Sequence, residues 1–197
     1  MSELEHVLAE TVRSRYKRTH VLLLDLVADM SDAELRWQPQ PPGNSIAWMV
    51  WHLGRFADGF QKEIAHAHQE LAEQLGETQE VWVAERIASQ WNLDAAQLGS
   101  NEAGIGMATD DALGLCLPDK HVLLGYARRC FALADRAVDA ILEHHFAALY
   151  ASPYRTEPVT IGDTVLANLQ HERYHLGQMR YLKKMMRRFS GGDSGGV

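Results

Sequence analysis

Apolar residues recur along most of this chain at steps of three and four, the period of an α-helix with one buried face. Leu4, Leu8, Val12, Tyr16, Leu23, Leu26 and Met30 predict a first helix from about Leu4 to Met30, opened by a Ser2–Glu5 capping box. Ser31 with Glu34 offers a second capping box, for a short turn carrying Leu35 and Trp37. Pro39, Pro41, Pro42 and Gly43 then stop helical structure. Asn44 or Ser45 caps a second long helix to about Glu73, with Ile46, Met49, Val50, Leu53, Ala57, Phe60 and Ile64 as its buried stripe.

Gly76 to Gln79 reads as a turn and Glu80 to Trp91 as a short helix. Gly99 to Leu115 holds four glycines and is the least regular part of the chain. It reads either as a surface connector or as a loop covering one mouth of a pocket. Pro118 fits the first turn of a third long helix, reaching about His145 on Leu123, Ala127, Cys130, Ala134, Ala137 and Ile141. Tyr150 to Pro158 is a loop, and Thr160 with Asp163 starts a fourth long helix that runs to about Phe189. No internal repeat and no useful strand-like alternation appear. The pattern predicts an all-α four-helix bundle, with a long connection containing a short helix between the second and third helices. Residues 1–189 form one domain on this reading, and 190–197 a flexible tail.

Composition narrows the function classes. The formal net charge is −7, so no broad basic character points to nucleic acid. The N-terminus lacks the plan of a signal peptide. The richest apolar run, Val21 to Val27, is broken by Asp25 and too short to span a bilayer. Cys116 and Cys130 form no CxxC pair, which fits a cytoplasmic chain with reduced thiols; Cys130 belongs to a core stripe.

The candidate chemistry lies in His171-Glu172-Arg173-Tyr174-His175. Two histidines four positions apart sit about 40° from each other on a helix, where neutral imidazoles can bind one divalent metal. Ten histidines in 197 residues would give about half of one such pair by chance. The string also reads His-Glu-x-x-His, the zinc protease signature. No His, Glu or Cys follows His175, however, and Arg173 puts a charge inside the motif. A third ligand would therefore lie upstream. His52, flanked by Trp48, Trp51 and Phe56, sits at the edge of the second helix's apolar stripe. His66 and His68 read as solvated, and His144 and His145 as cations favoured at a helix C-terminus. Arg180, Lys183, Lys184, Arg187 and Arg188 complement the same end of the last helix. Glu172 reads first as an ion-pair partner for a basic residue on a neighbouring helix, and otherwise as an orienting group for a ligand or a metal-site histidine.

Three pieces together resemble the DinB/YfiT-like superfamily, and more narrowly its actinobacterial branch that includes mycothiol-dependent enzymes. They are Asn44-Ser45-Ile46-Ala47-Trp48 leading into Trp51-His52-Leu53-Gly54; Gly104-Ile105-Gly106-Met107; and His171 to His175 continuing as Leu176-Gly177-Gln178. The resemblance covers roughly residues 5–188. It implies a bundle whose divalent metal, zinc or nickel, is held by His52, His171 and His175. It also implies a low-molecular-weight thiol such as mycothiol as co-substrate, and a possible homodimer.

These ligands would leave a coordination position open. A thiol there would lose its proton and attack a small electrophile, giving a thiol S-transferase. A water there would give a hydrolase instead. A non-catalytic metal- or ligand-binding bundle, and a bundle whose histidines are satisfied by hydrogen bonds alone, are the remaining readings. Arg55 and Arg155 are candidates to hold an anionic part of a thiol cofactor. The expected partner is a small molecule, with neither nucleic acid nor membrane.

Overall fold

The computed structural model describes residues 3–38 and 43–190, leaving out the side chains of Leu4, Glu5 and Ser190. The Ser2–Glu5 capping box, the three prolines at 39–42 and the tail beyond Ser190 lie outside this description. Four long helices form the body: α1 (Glu3–Ala28), α3 (Ile46–Ala67), α8 (Lys120–Ala140) and α9 (Ile161–Ser190). Helices α1 and α3 each pack against both α8 and α9. Short helices fill the connections: α2 (Asp32–Arg36), α4 (Gln69–Leu75), α5 (Val81–Ala84), α6 (Ile87–Gln90) and α7 (Thr109–Gly114). A two-residue antiparallel ladder pairs Leu149–Tyr150 with Val159–Thr160 just before α9. Among the described residues, no helix is long and apolar enough to cross a membrane.

The expected caps form. Ser31 and Glu34 make a reciprocal capping box on α2, and Ser45 Oγ accepts from Trp48 N–H at 3.2 Å. Thr160 Oγ1 accepts from Asp163 N–H at 3.0 Å to open α9. Asp119 caps α8, so Pro118 stands just before that helix rather than inside its first turn. At the other end of the bundle, Lys183 Nζ donates to the Leu26 carbonyl and pairs with Asp29, tying α9 to the end of α1.

Several boundaries differ from the periodicity. The helix expected to reach Glu73 breaks at His68, whose extended backbone (φ −151°) starts the separate α4. The segment Glu80–Trp91 splits at Arg86, which adopts φ +51°. Helix α8 stops at Ala140 rather than His145. There the Ile141 carbonyl accepts from the Arg13 guanidinium, and the Leu142 N–H donates to His145 Nδ1. These partners replace the next helical hydrogen bonds. The buried face of α1 also differs. Leu8 is exposed, and the inward residues are Ala9, Arg13, Tyr16, His20, Leu23, Val27 and Met30. Arg13 and His20 were unreadable as core positions because their burial depends on acids from elsewhere in the chain.

The supposedly irregular stretch begins as a tight, well-fastened turn. Ser100 N–H donates to Ile105 O at 2.8 Å, and Gly104 N–H to Leu98 O at 2.7 Å. Arg55, buried on α3, donates to the carbonyls of Asn101 and Glu102, each at 3.0 Å. Trp82 Nε1 donates to the Glu102 carboxylate at 2.6 Å. Gly104 has φ +83°, and a Cβ there would lie 2.6 Å from Trp48. Both the backbone conformation and the packing therefore require glycine. Gly104→Ala is expected to lower unfolding free energy by about 2 kcal/mol in urea titration. A change under a few tenths would mean that this turn is not pressed against α3.

Candidate metal centre

Helices α3 and α9 run antiparallel where His52 faces His171. The Nε2 atoms of His52 and His171 are 3.0 Å apart, and those of His175 and His171 are 3.1 Å apart. The local sequence explains the convergence. His171 and His175 share one face of α9, and His52 is 5% exposed on the α3 face that meets it. Trp48 stacks on His52 with ring centroids 4.6 Å apart, and Phe56 lies 4.1 Å from His171. These rings cover one side of the group.

The outer nitrogens decide what the inner ones can do. His52 Nδ1 donates to the Ala103 carbonyl at 2.5 Å, and His175 Nδ1 donates to Gln178 Oε1 at 2.7 Å. In neutral imidazole, a proton on Nδ1 leaves a lone pair on Nε2. Two lone pairs therefore point at His171 Nε2. One proton on that atom can satisfy one neighbour well and the other poorly. Adding a proton elsewhere is disfavoured. Burial and the facing imidazoles hold His52 down at about 3, and burial with His175 holds His171 at about 4. Burial also lowers His175, against the opposing pull of Gln178. A cation among the three nitrogens removes the conflict. Tetrahedral or octahedral ligand nitrogens at ~2.1 Å from an ion lie ~3.0–3.4 Å apart, close to the separations here. His171 Nδ1 is buried without a partner among the described residues.

A second group, His68, Glu70 and His145, also brings possible ligand atoms together, with His144 beside it. Its hydrogen bonds have the opposite polarity. His145 Nδ1 accepts from Leu142 N–H at 3.0 Å, and His68 Nδ1 accepts from Glu70 N–H at 3.3 Å. Their protons must then sit on Nε2. His144 and His145 Nε2 each lie 3.0 Å from Glu70 Oε2, as donors to a carboxylate. The cluster ties α4 to the turn after α8. The C-terminal cation role expected for His144 and His145 does not arise, because α8 ends before them.

Glu172 points away from the three histidines into the core. It is fully buried and its Oε1 lies 2.9 Å from Nε2 of His20 on α1. His20 Nδ1 lies 2.7 Å from Asp135 on α8. Glu172 is thus the partner of a basic residue on a neighbouring helix. Asp135 and His20, on separate helices, left no local sequence signal of this chain.

With this geometry in place, comparison with known proteins becomes informative. A family model described as the DinB superfamily matches residues 15–179. The chain belongs to the DinB superfamily. A crystal structure described as a conserved protein from Enterococcus faecalis aligns at TM-score 0.67 and 21% identity. The alignment covers 89% of this chain and 94% of that one, and it supports the shared fold. No curated protein matches the sequence.

Beside His171 opens a cleft of about 340 Å³. Phe56, Phe60, Ala103 and Ile105 give it apolar walls, while Asn168 and Thr164 on α9 add polar groups. Asn101, Ala103 and Ile105 line this cleft, so the start of the 99–115 stretch forms part of its wall. Arg55 is spent on Asp58, Glu80 and two loop carbonyls, so it is not a free anion holder. Arg155 lines the cleft and is exposed.

The His20 pair gives a pH expectation. Burial opposes charging His20, but Glu172 and Asp135 outweigh it and push the imidazole up to about 9. A histidine raised from 6.5 in the unfolded chain contributes stability fully below 6.5 and loses it as pH rises through about 9. The melting temperature of the wild-type chain should therefore fall more steeply between pH 6.5 and 9 than that of His20→Gln. Parallel curves would mean that His20 is neutral in the fold.

Proposed function

We propose that this DinB-superfamily chain is a divalent-metal enzyme in which His52, His171 and His175 hold zinc or nickel. Its reaction, on this reading, joins the sulfur of a low-molecular-weight thiol such as mycothiol to the electrophilic carbon of a small substrate, the thiol giving up its S–H proton and the carbon its bond to a leaving group. The observation that carries it is the hydrogen-bond polarity at His52 and His175. Their outward Nδ1 donors leave two Nε2 lone pairs aimed at His171 Nε2, as neutral imidazole ligands require.

An ion held there would supply a Lewis acid that lowers the pKa of a thiol or water bound to it. Each residue has a defined part around that chemistry. Ala103 and Gln178 fix the ring orientation and tautomer of two histidines. Trp48 and Phe56 shield one side of the imidazoles. The apolar walls of the cleft suit the carbon skeleton of a ligand, and its size favours a thiol co-substrate over water alone. Glu172 does not act as a base at this site, because it faces His20. That orientation removes the protease reading of the His-Glu-x-x-His string.

Elemental analysis of untagged protein tests the metal. About one zinc or nickel per chain is expected, lost in His52→Ala and retained in His145→Ala. Background metal in wild type after incubation with both ions would reject the site. Gln178→Leu should weaken zinc affinity by about 10–100-fold while leaving the melting temperature of the metal-free protein nearly unchanged. Thiol consumption with a panel of small electrophiles then separates the chemistries. Turnover without thiol would assign a hydrolase, and metal without turnover a binding bundle.

A further inference from the structure

The cleft is lined by four charged side chains, and two of them make no ion pair among the described residues. Arg55 and Glu80 pair at 2.9 Å, and Lys62 adds a second contact to Glu80 at 3.2 Å. Glu63 and Arg155 remain. Neither takes part in an ion pair among the described residues. Glu63 is nonetheless held firmly: its Oε1 accepts from Tyr150 Oη at 2.6 Å and from Ser152 Oγ at 2.5 Å. Ser152 is itself 7% exposed, and Tyr150 also bonds Thr164 on α9 at 2.8 Å. The second oxygen of Glu63 makes no hydrogen bond to a described residue. Two hydroxyls thus orient a carboxylate at the cleft wall without neutralising it.

Arg155 belongs to the same corner. Its N–H donates to the Ser152 carbonyl at 3.4 Å, so the residue that orients Glu63 also anchors the turn bearing the guanidinium. The neighbouring Tyr154 hydroxyl lies over Gly59, 3.4 Å from where a Cβ would stand. Glu63 is eleven positions beyond His52 on α3, and Thr164, bonded to the same Tyr150 hydroxyl, is seven before His171 on α9. At 1.5 Å per residue, the corner is offset from the histidines by roughly 10–17 Å along the helices. A ligand about three to five extended residues long, at ~3.5 Å each, spans that length.

We propose that this corner binds the α-amino-acid headgroup of a small zwitterionic ligand, with its ammonium on Glu63 and its carboxylate on Arg155. A ligand carrying one charge would leave the opposite protein charge unanswered within the cleft. The zwitterion answers both and leaves the corner neutral. Joined to the metal reading, on which only the ligand's other end rests, this describes a thiol whose far end is an amino acid, in place of mycothiol.

The test is calorimetric binding to zinc-incubated full-length protein. The ligands are glutathione, S-methylglutathione, and the glutaryl analogue of glutathione that lacks the ammonium. Glutathione and S-methylglutathione should both bind. Removing the ammonium, or introducing Glu63→Gln, should each weaken glutathione by at least about tenfold. The analogue should lose nothing further in Glu63→Gln, since the two changes remove one contact. Arg155→Ala should weaken both glutathione forms to a similar degree. Glu63→Gln keeps an oxygen for Tyr150 and Ser152, and its melting temperature checks the fold. S-methylglutathione has no free thiol, so its dependence on Glu63 and Arg155 survives a failure of the thiol–metal reading, which metal content tests separately. Failure of both glutathione forms to bind overturns the proposal. So does equal binding of the glutaryl analogue, or affinity within about twofold of wild type in either variant. Binding of mycothiol, which has no zwitterion, where glutathione fails would assign the cleft to an uncharged thiol instead.

Discussion

The hydrogen bond from His52 Nδ1 to the Ala103 carbonyl joins the two parts of this protein that matter most for chemistry. It fixes which nitrogen of His52 is free. It also pins the 98–105 turn onto α3, where Arg55 and Gly104 complete the attachment. The same contact therefore leaves a free lone pair on His52 Nε2 and builds the neighbouring wall of the cleft. Because the acceptor is a main-chain carbonyl, the arrangement depends on the turn's conformation rather than on any one side chain. A shift of this turn would alter the ring orientation of His52 and the shape of the cleft together.

Polarity inside the bundle serves a different end. Asp135, His20 and Glu172 link three long helices through one imidazole, stacked on Phe131 and set edge-on to Tyr16. Replacing one partner would strand a charge in the core, which is costlier than the net gain from forming the chain. The network fixes the rotation of α9. With Glu172 held inward towards α1, the adjacent His171 must face α3. Registry on one side of the helix thereby sets the candidate metal centre on the other.

The architecture was largely legible because α3, α8 and α9 carry apolar stripes that remain buried. α1 was legible as a helix but not in its facing, because two of its inward residues are Arg13 and His20. The end of α8 was misread because side chains captured backbone groups there, the distant Arg13 at Ile141 and the local His145 at Leu142. At the site, the four-residue spacing of His171 and His175 was visible, and Gln178 could have been found by its three-residue step from His175. The Ala103 carbonyl could not, since a main-chain acceptor leaves no trace in residue identity. Glu63 looked like one more surface acid; only the ladder bringing Tyr150 and Ser152 back to α3 distinguishes it.

Two clusters in this molecule offer an incoming cation nearly the same inventory of side chains, and the main chain tells them apart. One presents carbonyl oxygen to an outer imidazole nitrogen; the other presents amide N–H to that same atom. Reversing the peptide's polarity behind a histidine turns a base into a proton donor, with no change of residue. A polypeptide with ten histidines has many places to misplace a scarce ion. Were an ion bound, the choice between the clusters would lie in the direction of peptide groups, where point mutation of side chains has little purchase, and it would be inherited with the fold.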